Sequence, residues 1–563
     1  MIRRPQQAKT TFSGLAALAT LGATLMLGAC AAPTPLDYEA RIFSGVDQCG
    51  RTITTSSPAA QLWFDQGLTF LYGFNHDEAV RSFHAATLED PECTMAWWGL
   101  AHASGSDINN PEMSDADWKR ANDAAQKAIE TSGDATPVEA ALAHAIGERF
   151  TYPAPEDKSV LDEAYADAME AVWVENRDDP DIATLYAESL MLLQPWDYWT
   201  ADGQPKGRIV EVAAALEAAL RTKPDHAGAC HFYVHAMEAA EPKKAEEAAD
   251  LLAGAVPGSG HLLHMPSHIY VHIGRYADSS DANERAVAAD REYLASAENP
   301  GFYMLYYAHN LHMLAYSAMM EGREEVALQA ARDLEAEVPV SFQKDHAAFV
   351  DGIMSSSLHV LIRFGHWEQI LREPEPPSYR KMSVAQWHYA RGVALSATGR
   401  TQEARKELAA FEEAKDEVPE GWRAGSNPAA TVLELAHAML RGEILWREGN
   451  KERAFEVLAA GVAIEDGMVY DEPPGWMQPV RHAYGALLMA DSQAREAEAV
   501  YRADLAVNPG NGWSLLGLQQ ALTAQGRRLE SRVAAEQLAE AWARTDVDAK
   551  SSCFCEPGAV AQS

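Results

Sequence analysis

Closely spaced histidines are the residues of this sequence best suited to chemistry. Six of its 19 histidines lie within 42 residues and repeat at three- or four-residue steps along two stretches: His231, His235, His261, His264, His268 and His272. In a helix, residues four apart leave from one face, so two imidazoles one turn apart can converge on a single ion. Glu238 follows His235 by three residues and adds a carboxylate to the first stretch. The spacing therefore predicts a transition-metal site.

We predict that the ion is held by some of five residues: His231, His235, Glu238, His264 and His268. In an exported protein zinc, copper or iron are the candidate metals. Two other interpretations stay open, because the spacing is not a closed motif such as HExxH. The imidazoles could bind a peptide or a small acid through hydrogen bonds, or they could satisfy one another and nearby backbone groups.

Glu238 is the one candidate catalytic residue, as a metal ligand or as a general base one turn from His235. A metal with an open coordination position would activate water or bind oxygen. A hydrolytic or oxygen-using enzyme is therefore the alternative to a binding or assembly module. The sequence carries no Gly-rich phosphate loop, no serine nucleophile elbow and no paired CxxC motif. It does not decide whether any reaction occurs.

The helices that would position these side chains follow a repeat. With Ala60 as position 1, the tetratricopeptide positions 4, 8, 11, 20, 24, 27 and 32 are occupied by Trp63, Gly67, Phe70, Ala79, Phe83, Ala86 and Pro91. Small residues at positions 8 and 20 let two helices touch, and large ones at 4 and 24 fill the gap. Almost no β-type alternation occurs. We predict an all-α, tetratricopeptide-like superhelical solenoid of paired antiparallel helices, with nine to eleven pairs.

The resemblance to tetratricopeptide repeats implies which faces line the concave groove. With Gly274 at position 15, four histidines fall at the groove positions 2, 5, 9 and 13: His261, His264, His268 and His272. Four more fall at groove positions of later units: His309, His312, His359 and His482. Pro266 leaves an alternative open, in which the helix starts at the proline and His261 and His264 lie in the entering loop.

Two aromatic and proline-containing stretches flank these units. Residues 194–205 carry Trp196 and Trp199 directly before the histidines, and this loop either covers the groove as a lid or packs its own aromatic side chains. Residues 470–481 bring Asp471 and Glu472 to the entry of the unit that contains His482. The plain alternative for this acidic pair is that it is only solvated.

The N-terminus predicts export. Residues 1–29 contain three basic residues and then an uncharged apolar run, which is typical of a secretory signal. The ending Leu-Gly-Ala-Cys resembles the cleavage signal of bacterial lipoproteins, in which the cysteine, here Cys30, is lipidated. No Asp follows the cysteine, so we expect an outer-membrane lipoprotein that faces the periplasm or the cell surface. A plain signal peptide cut near Ala32 is the alternative.

Charge excludes one class of partner. The chain of 563 residues has a formal net charge of −36, and removal of residues 1–29 leaves 43 basic and 82 acidic residues, a charge of −39. Such a surface repels nucleic acid, so we expect no nucleic-acid partner. We expect a protein or peptide to bind in the groove and the lipid on Cys30 to attach the protein to a membrane.

Five cysteines remain after Cys30, an odd number that leaves at least one thiol unpaired, and the sequence assigns no disulfide among them: Cys49, Cys93, Cys230, Cys553 and Cys555.

Five motifs, in order along the chain, resemble a family of exported bacterial tetratricopeptide-repeat proteins of uncharacterised function that carries an HMPSHIY-type motif: PWDYWTADGQP, HFYVHAMEAAEP, GHLLHMPSHIYVHIGRY, YDEPPGWMQPVR and NPGNGWSLLGLQQAL. The similarity runs from about Ala60 to Trp542. It implies the fold and the export but supplies no reaction. We divide the chain into a lipoprotein signal peptide (1–29), a lipid-anchored linker (30–58), N-terminal repeats with inserts (59–225), His-rich units (226–341), C-terminal repeats (342–545) and a flexible tail (546–563).

Overall fold

The computed structural model describes residues 35–556, and the predicted signal peptide and the predicted lipidation site, Cys30, lie outside this range. The first nine helices are α1 (Pro58–Tyr72), α2 (His76–Glu89), α3 (Thr94–Ala103), α4 (Asp115–Thr131), α5 (Pro137–Arg149), α6 (Ser159–Glu175), α7 (Pro180–Met191), α8 (Ile209–Thr222) and α9 (Ala227–Met237). The next nine are α10 (Glu246–Leu252), α11 (Gly260–His264), α12 (Pro266–Ile273), α13 (Tyr276–Ser296), α14 (Tyr303–Glu321), α15 (Glu324–Glu337), α16 (Val340–Asp345), α17 (Ala347–Val350) and α18 (Ser356–Arg363).

The last nine helices are α19 (Trp367–Ile370), α20 (Lys381–Ala397), α21 (Thr401–Asp416), α22 (Ala429–Arg447), α23 (Lys451–Asp466), α24 (Val480–Ala490), α25 (Ala494–Val507), α26 (Gly512–Ala524) and α27 (Arg528–Ala541). Short 3₁₀ helices occupy Pro35–Asp37, Ser132–Asp134 and Pro242–Ala245. One two-residue hairpin joins β1 (Arg423–Ala424) to β2 (Asn427–Pro428).

Consecutive helices pack in antiparallel pairs, which confirms the all-α, tetratricopeptide-like solenoid. Within residues 35–556 there are twelve pairs, because α11 and α12 together form the first helix of one pair and the short α16 and α17 join two others. The sequence predicted fewer, since the repeat residues are irregular between 94 and 225, where α3 to α8 nevertheless pair. Among the described helices, none is long and apolar enough to span a bilayer.

The repeat positions explain why neighbouring helices can approach so closely. The fully buried ring of Phe83 on α2 fits between Gly67 on α1 and Gly99 on α3. A Cβ atom at either glycine would lie 2.8 Å or 2.3 Å from that ring, which is closer than van der Waals contact allows. Tyr501 on α25 is held in the same way between glycines of α24 and α26. Large-into-small packing of this kind therefore recurs at both ends of the chain.

The superhelix winds tightly enough that its two ends touch the central helices. On the N-terminal side, the backbone N–H of Gly258 donates to Gly45 at 2.9 Å, and the Tyr293 hydroxyl on α13 donates to Glu78 on α2 at 3.1 Å. On the C-terminal side, the Trp513 indole on α26 donates to the carbonyl of Met319 on α14 at 2.9 Å. The concave faces of α9 to α14 therefore lie inside the protein rather than along an open groove.

Residues 546–556, which the sequence assigns to a flexible tail, pack against this closure. The carboxylate of Asp546 accepts hydrogen bonds from the backbone N–H groups of Glu324 and Glu325 at the start of α15, at 2.7 Å and 3.1 Å. Ser552 is fully buried and its hydroxyl donates to the carbonyl of His482. Cys553 and Cys555 form a disulfide. The other three described cysteines are buried and free, so Cys49 and Cys93, which flank the first helical pair, do not bridge.

Replacing Phe83 with alanine tests the packing scheme. The cavity left between α1, α2 and α3 should lower the free energy of unfolding by about 3–5 kcal/mol, measured by urea denaturation followed by circular dichroism. The matched control is Leu88→Ala on the same helix, where the side chain is 70% exposed and the loss should stay below about 0.5 kcal/mol. Equal losses in the two variants would contradict the scheme.

Candidate metal centre

Three helical segments carry the histidines of the first two stretches. The ring of His226 caps the start of α9 by accepting from the backbone N–H of Ala229 at 3.0 Å. The next segment starts at Gly260 and stays helical through Met265 into α12, where Pro266 occupies the first position and its missing N–H is tolerated. It ends at Gly274, whose φ of 83° is the left-handed conformation of a helix stop. The alternative in which His261 and His264 lie in an entering loop is therefore wrong.

Six imidazoles gather at the centre of the protein, where α9, α11, α12 and α14 meet. We call them the histidine cluster: His231, His235, His261, His264, His268 and His309. Their nitrogens form two groups of three, and within each group the candidate ligand atoms lie within 4.8 Å of one another. The first set is His231, His235 and His261, and the second set is His264, His268 and His309. All the members except the half-buried His309 are buried.

In the first set, a backbone carbonyl orients one ring. Nδ1 of His231 lies 2.7 Å from the carbonyl oxygen of Tyr72, and since a carbonyl only accepts, Nδ1 carries the proton. Its Nε2 therefore presents a lone pair to Nε2 of His261, 3.1 Å away. The ring of Phe74 packs against this set, 4.5 Å from the His231 ring between centroids. Phe74 adopts a φ of 55°, which is uncommon for a residue other than glycine.

In the second set, a side-chain amide oxygen orients one ring. The Asn283 side chain donates through Nδ2 to the carbonyl of Ser279 at 2.8 Å, so its Oδ1 faces His264 Nδ1 at 2.6 Å. That oxygen accepts a hydrogen bond from Nδ1–H of His264. Nε2 of His264 is therefore unprotonated and presents its lone pair to Nε2 of His268, 2.8 Å away. The His309 ring completes the set at 4.6 Å from the His264 ring.

Two buried carboxylates stand beside the cluster. Glu238, at the end of α9, places one oxygen 3.4 Å from His235 Nδ1 and the other 3.3 Å from His268 Nδ1. Glu472, in the connection between α23 and α24, lies 2.5 Å from His268 Nδ1 and contacts His272 through its other oxygen. The Glu472 side chain is 3% exposed, so the interpretation of this residue as solvated is wrong.

Burial decides the protonation states of the cluster. The pKa of each of five imidazoles is held well below its usual 6.5, because the rings are out of water and surrounded by other imidazoles: His231, His235, His261, His264 and His309. Burial also opposes the charge of His268, yet Glu238 and Glu472 raise its pKa to about 9. Burial raises the pKa of Glu238 to about 8, whereas His272 and His268 hold the pKa of Glu472 below its usual range despite burial. Most of the cluster is therefore neutral imidazole, the form that binds metals.

Several buried polar atoms of this region lack a hydrogen-bond partner within the described part of the chain. They are Nε2 of His235, Nδ1 of His261, Nδ1 of His268, Oε2 of Glu238 and both carboxylate oxygens of Glu472. The Glu472 and His268 atoms are close enough for ion pairs, but they are not aligned as hydrogen bonds. Nitrogen and oxygen atoms that lie close together but do not form hydrogen bonds with one another are typical of the ligands of a metal ion.

The aromatic loop 194–205 lies against the cluster from the outer side. The Trp196 ring meets the His235 ring edge-on at 5.1 Å between centroids and is 44% exposed. The Trp199 indole donates to the carbonyl of Ala236 at 2.8 Å, which fixes the loop to α9. Trp196 therefore separates the first set from solvent.

The remaining predicted groove histidines lie outside the cluster. His272 contacts Glu472, as described above, and His312 and His359 are buried neighbours on α14 and α18 whose burial lowers their pKa values to about 3 and about 4. His482 belongs to a separate buried network. Its Nδ1 accepts from the Arg363 guanidinium at 3.0 Å, and its Nε2 donates to Asp504 at 2.9 Å.

Sequence reasoning missed the residues that orient the candidate ligands. Glu472 was visible only as part of an acidic pair in a proline-rich connection more than 160 residues from every histidine of the cluster. Asn283 and Tyr72 carry no signal at all, because an asparagine in a helix and a backbone carbonyl are unremarkable in sequence. His309 was recognised as a groove residue, but its repeat position did not indicate that it joins His264 and His268.

The lowered pKa of His359 predicts a pH dependence of stability. Between about pH 6.5 and pH 4 the unfolded chain binds a proton at this residue that the folded chain does not, so the free energy of unfolding falls as the pH falls. His359→Phe keeps a ring against Trp476 and removes this effect. The slope of unfolding free energy against pH in this window should decrease by about 1.4 kcal/mol per pH unit, measured by urea denaturation of chelator-treated protein. An unchanged slope would contradict a neutral buried His359.

Comparisons with known proteins add little to this geometry. No family model matches the chain, and no curated protein is similar to it at a significant level. Among solved structures, a human IFIT1 dimer with m7Gppp-AAAA is 12% identical, with 88% of this chain and 93% of that chain covered and a TM-score of 0.30. The Cut9–Hcn1 hetero-tetramer of APC/C is 12% identical over 87% of this chain and 78% of that chain, with a TM-score of 0.29. Likenesses this low carry no argument about the function of this chain.

Proposed function

We propose that this protein binds a transition metal through the histidine cluster and acts as a binding or assembly module. The ligands are drawn from the residues that both helical stretches bring together: His231, His235, Glu238, His264 and His268. The observation that carries the proposal is the set of buried ligand-type atoms in and beside the histidine cluster that lack hydrogen-bond partners among the described residues. Bound metal would satisfy these atoms.

A metal-free cluster explains these contacts less well. In that interpretation a charged His268 donates to His264 through Nε2 and forms an ion pair with Glu472 through Nδ1. It leaves Nε2 of His235 and Nδ1 of His261 buried without partners, at a cost of about 1–3 kcal/mol each. Because native interiors rarely keep such groups unpaired, the metal-bound form is favoured.

The donor atoms narrow the choice of metal. Neutral imidazoles suit zinc, copper and iron, whereas magnesium and calcium prefer oxygen ligands. Nearby carboxylates at Glu238 and Glu472 are compatible with zinc or iron and would offset part of the charge of the ion. We propose zinc, copper or iron as the bound metal.

The setting we propose is the periplasmic side of the bacterial outer membrane, or the cell surface. It rests on the secretory signal at residues 1–29 and the lipoprotein-type ending at Cys30. Lipidation would hold the solenoid on the membrane. The net charge of −36 argues against nucleic acid and for a protein or peptide partner.

A metal-dependent hydrolytic or oxygen-using enzyme is the second candidate, and Glu238 favours it. Burial holds the pKa of this carboxyl at about 8, and the carboxyl lies beside His235 and His268, as a general base next to a metal would. A binding module should tolerate Glu238→Gln and keep its partner. A metalloenzyme should keep its metal in this variant and lose turnover, for example oxygen consumption with ascorbate as the reductant.

Elemental analysis tests the metal proposal. The full chain, purified in detergent without a polyhistidine tag or chelator, should carry zinc, copper or iron at one equivalent per chain or more. The double variant His235→Ala/His268→Ala should lose it, while His359→Phe, a buried histidine outside the cluster, should keep it. Circular dichroism would establish that the variants are folded. Absence of metal from the parent protein, even after reconstitution with each ion, would sink the proposal.

A further inference from the structure

We infer that the histidine cluster holds two transition-metal ions, one in the first set and one in the second set. This inference rests on the proposed metal binding and deepens it. Structural and catalytic sites for these metals commonly take three or four protein ligands per ion. Six imidazoles and two carboxylates in one interior region are more than a single ion of that kind can use.

The grouping of the nitrogens supports two ions rather than one. Two nitrogens bound to one ion at about 2.1 Å each lie no more than about 4.2 Å apart. Within each set the three candidate ligand atoms lie within 4.8 Å of one another, so a small adjustment brings all three onto one ion. Among the described residues, no three candidate ligand atoms within 4.8 Å of one another combine histidines of the two sets. The ring centroids alone do not separate the sets, since His235 lies 6.2 Å from His261 within the first set and 6.1 Å from His268 in the second.

Each set also carries the outer contacts that metal-bound imidazoles need. A ligand histidine binds the ion with one nitrogen and donates the other N–H to a carbonyl or carboxylate, which fixes its orientation. In the first set, His231 donates to the Tyr72 carbonyl. In the second set, His264 donates to the Asn283 amide oxygen. In both cases Nε2 is left facing another imidazole of the same set.

The two carboxylates extend this pattern to one more histidine of each set. Glu238 lies at Nδ1 of His235 and at Nδ1 of His268, and Glu472 lies at Nδ1 of His268 as well. Both of these histidines therefore have Nε2 available for an ion. The Glu238 carboxylate contacts Nδ1 of one histidine in each set, so binding of one ion would affect the affinity for the other.

One other grouping of atoms competes with the second set. Glu238, His268 and Glu472 also place three candidate ligand atoms within 4.8 Å of one another. An ion there would use Nδ1 of His268 and displace the carboxylates from their supporting position. We assign the carboxylates to support because Glu472 is also engaged by His272, and because Nε2 of His268 lies against His264 at 2.8 Å.

The two sites would each keep an open position. Three imidazoles per ion leave a fourth place for water or a small ligand. The Trp196 ring lies between the first set and solvent. The ligand class that fits each position is water or a small anion.

The number of metal ions bound per full-length chain, measured with one kind of metal at a time, tests the inference. The metal-free protein, titrated with Co²⁺ and followed by its visible absorption, should reach its end point at two equivalents. An end point at one equivalent overturns the two-ion inference and leaves the proposed function standing, whereas no binding of Co²⁺, Zn²⁺ or Cu²⁺ overturns both. This measurement needs no variant.

Variants assign the ions to the sets, with bound Zn²⁺ measured by elemental analysis after dialysis. His231→Ala/His261→Ala and His264→Ala/His309→Ala should each retain one ion per chain, and His359→Phe should retain two. If either double variant loses both ions while circular dichroism shows that it remains folded, the two sets form a single site and the inference is overturned.

Glu472→Gln separates the competing groupings. As a supporting residue, its replacement should leave two Zn²⁺ per chain and weaken the affinity for one of them about 10- to 100-fold. If Glu472 is itself a ligand of the second ion, the variant should retain a single Zn²⁺, and the assignment of the second set would be overturned.

Discussion

Closure of the solenoid on its own concave face is the constraint on which the rest of the structure depends. The N-terminal units reach α13 through Tyr293 and the C-terminal units reach α14 through Trp513, so the central helices are enclosed from both sides. An open repeat groove would leave its imidazoles in water. Here five of the six imidazoles of the histidine cluster are buried, and their chemistry follows from that burial.

Burial keeps most imidazoles of the cluster neutral. Removing water penalises the charged form of each ring, and neighbouring imidazoles add to the penalty, so most of the cluster stays unprotonated at neutral pH. The two carboxylates act in the opposite direction on His268, whose pKa they raise. Polar groups concentrated in an interior are stable only when each has a partner, and the proposed metal would supply one for several of them at once.

The repeat packing makes this enclosure possible. Glycines at the helix contacts let Phe83 and Tyr501 fill the gaps between neighbouring helices, and the close approach sets the curvature of the superhelix. Residues 546–556 then lie along the closure and cap α15 through Asp546. A tail that is polar in sequence is ordered here because its carboxylate and carbonyl groups meet unsatisfied groups at helix ends and at Arg363.

The sequence by itself determined what depends on local periodicity. Large and small residues at fixed repeat positions specified an all-α solenoid of paired helices, and four-residue steps placed His231 with His235 and His264 with His268. Only the tertiary structure decided how these pairs combine, because His309 and Glu472 join them across 41 and 204 residues counted from His268. Residues this far apart in sequence meet because the superhelix winds by a small rotation at each repeat unit. The total rotation over many units depends on all of them, so no local sequence pattern predicts which residues meet.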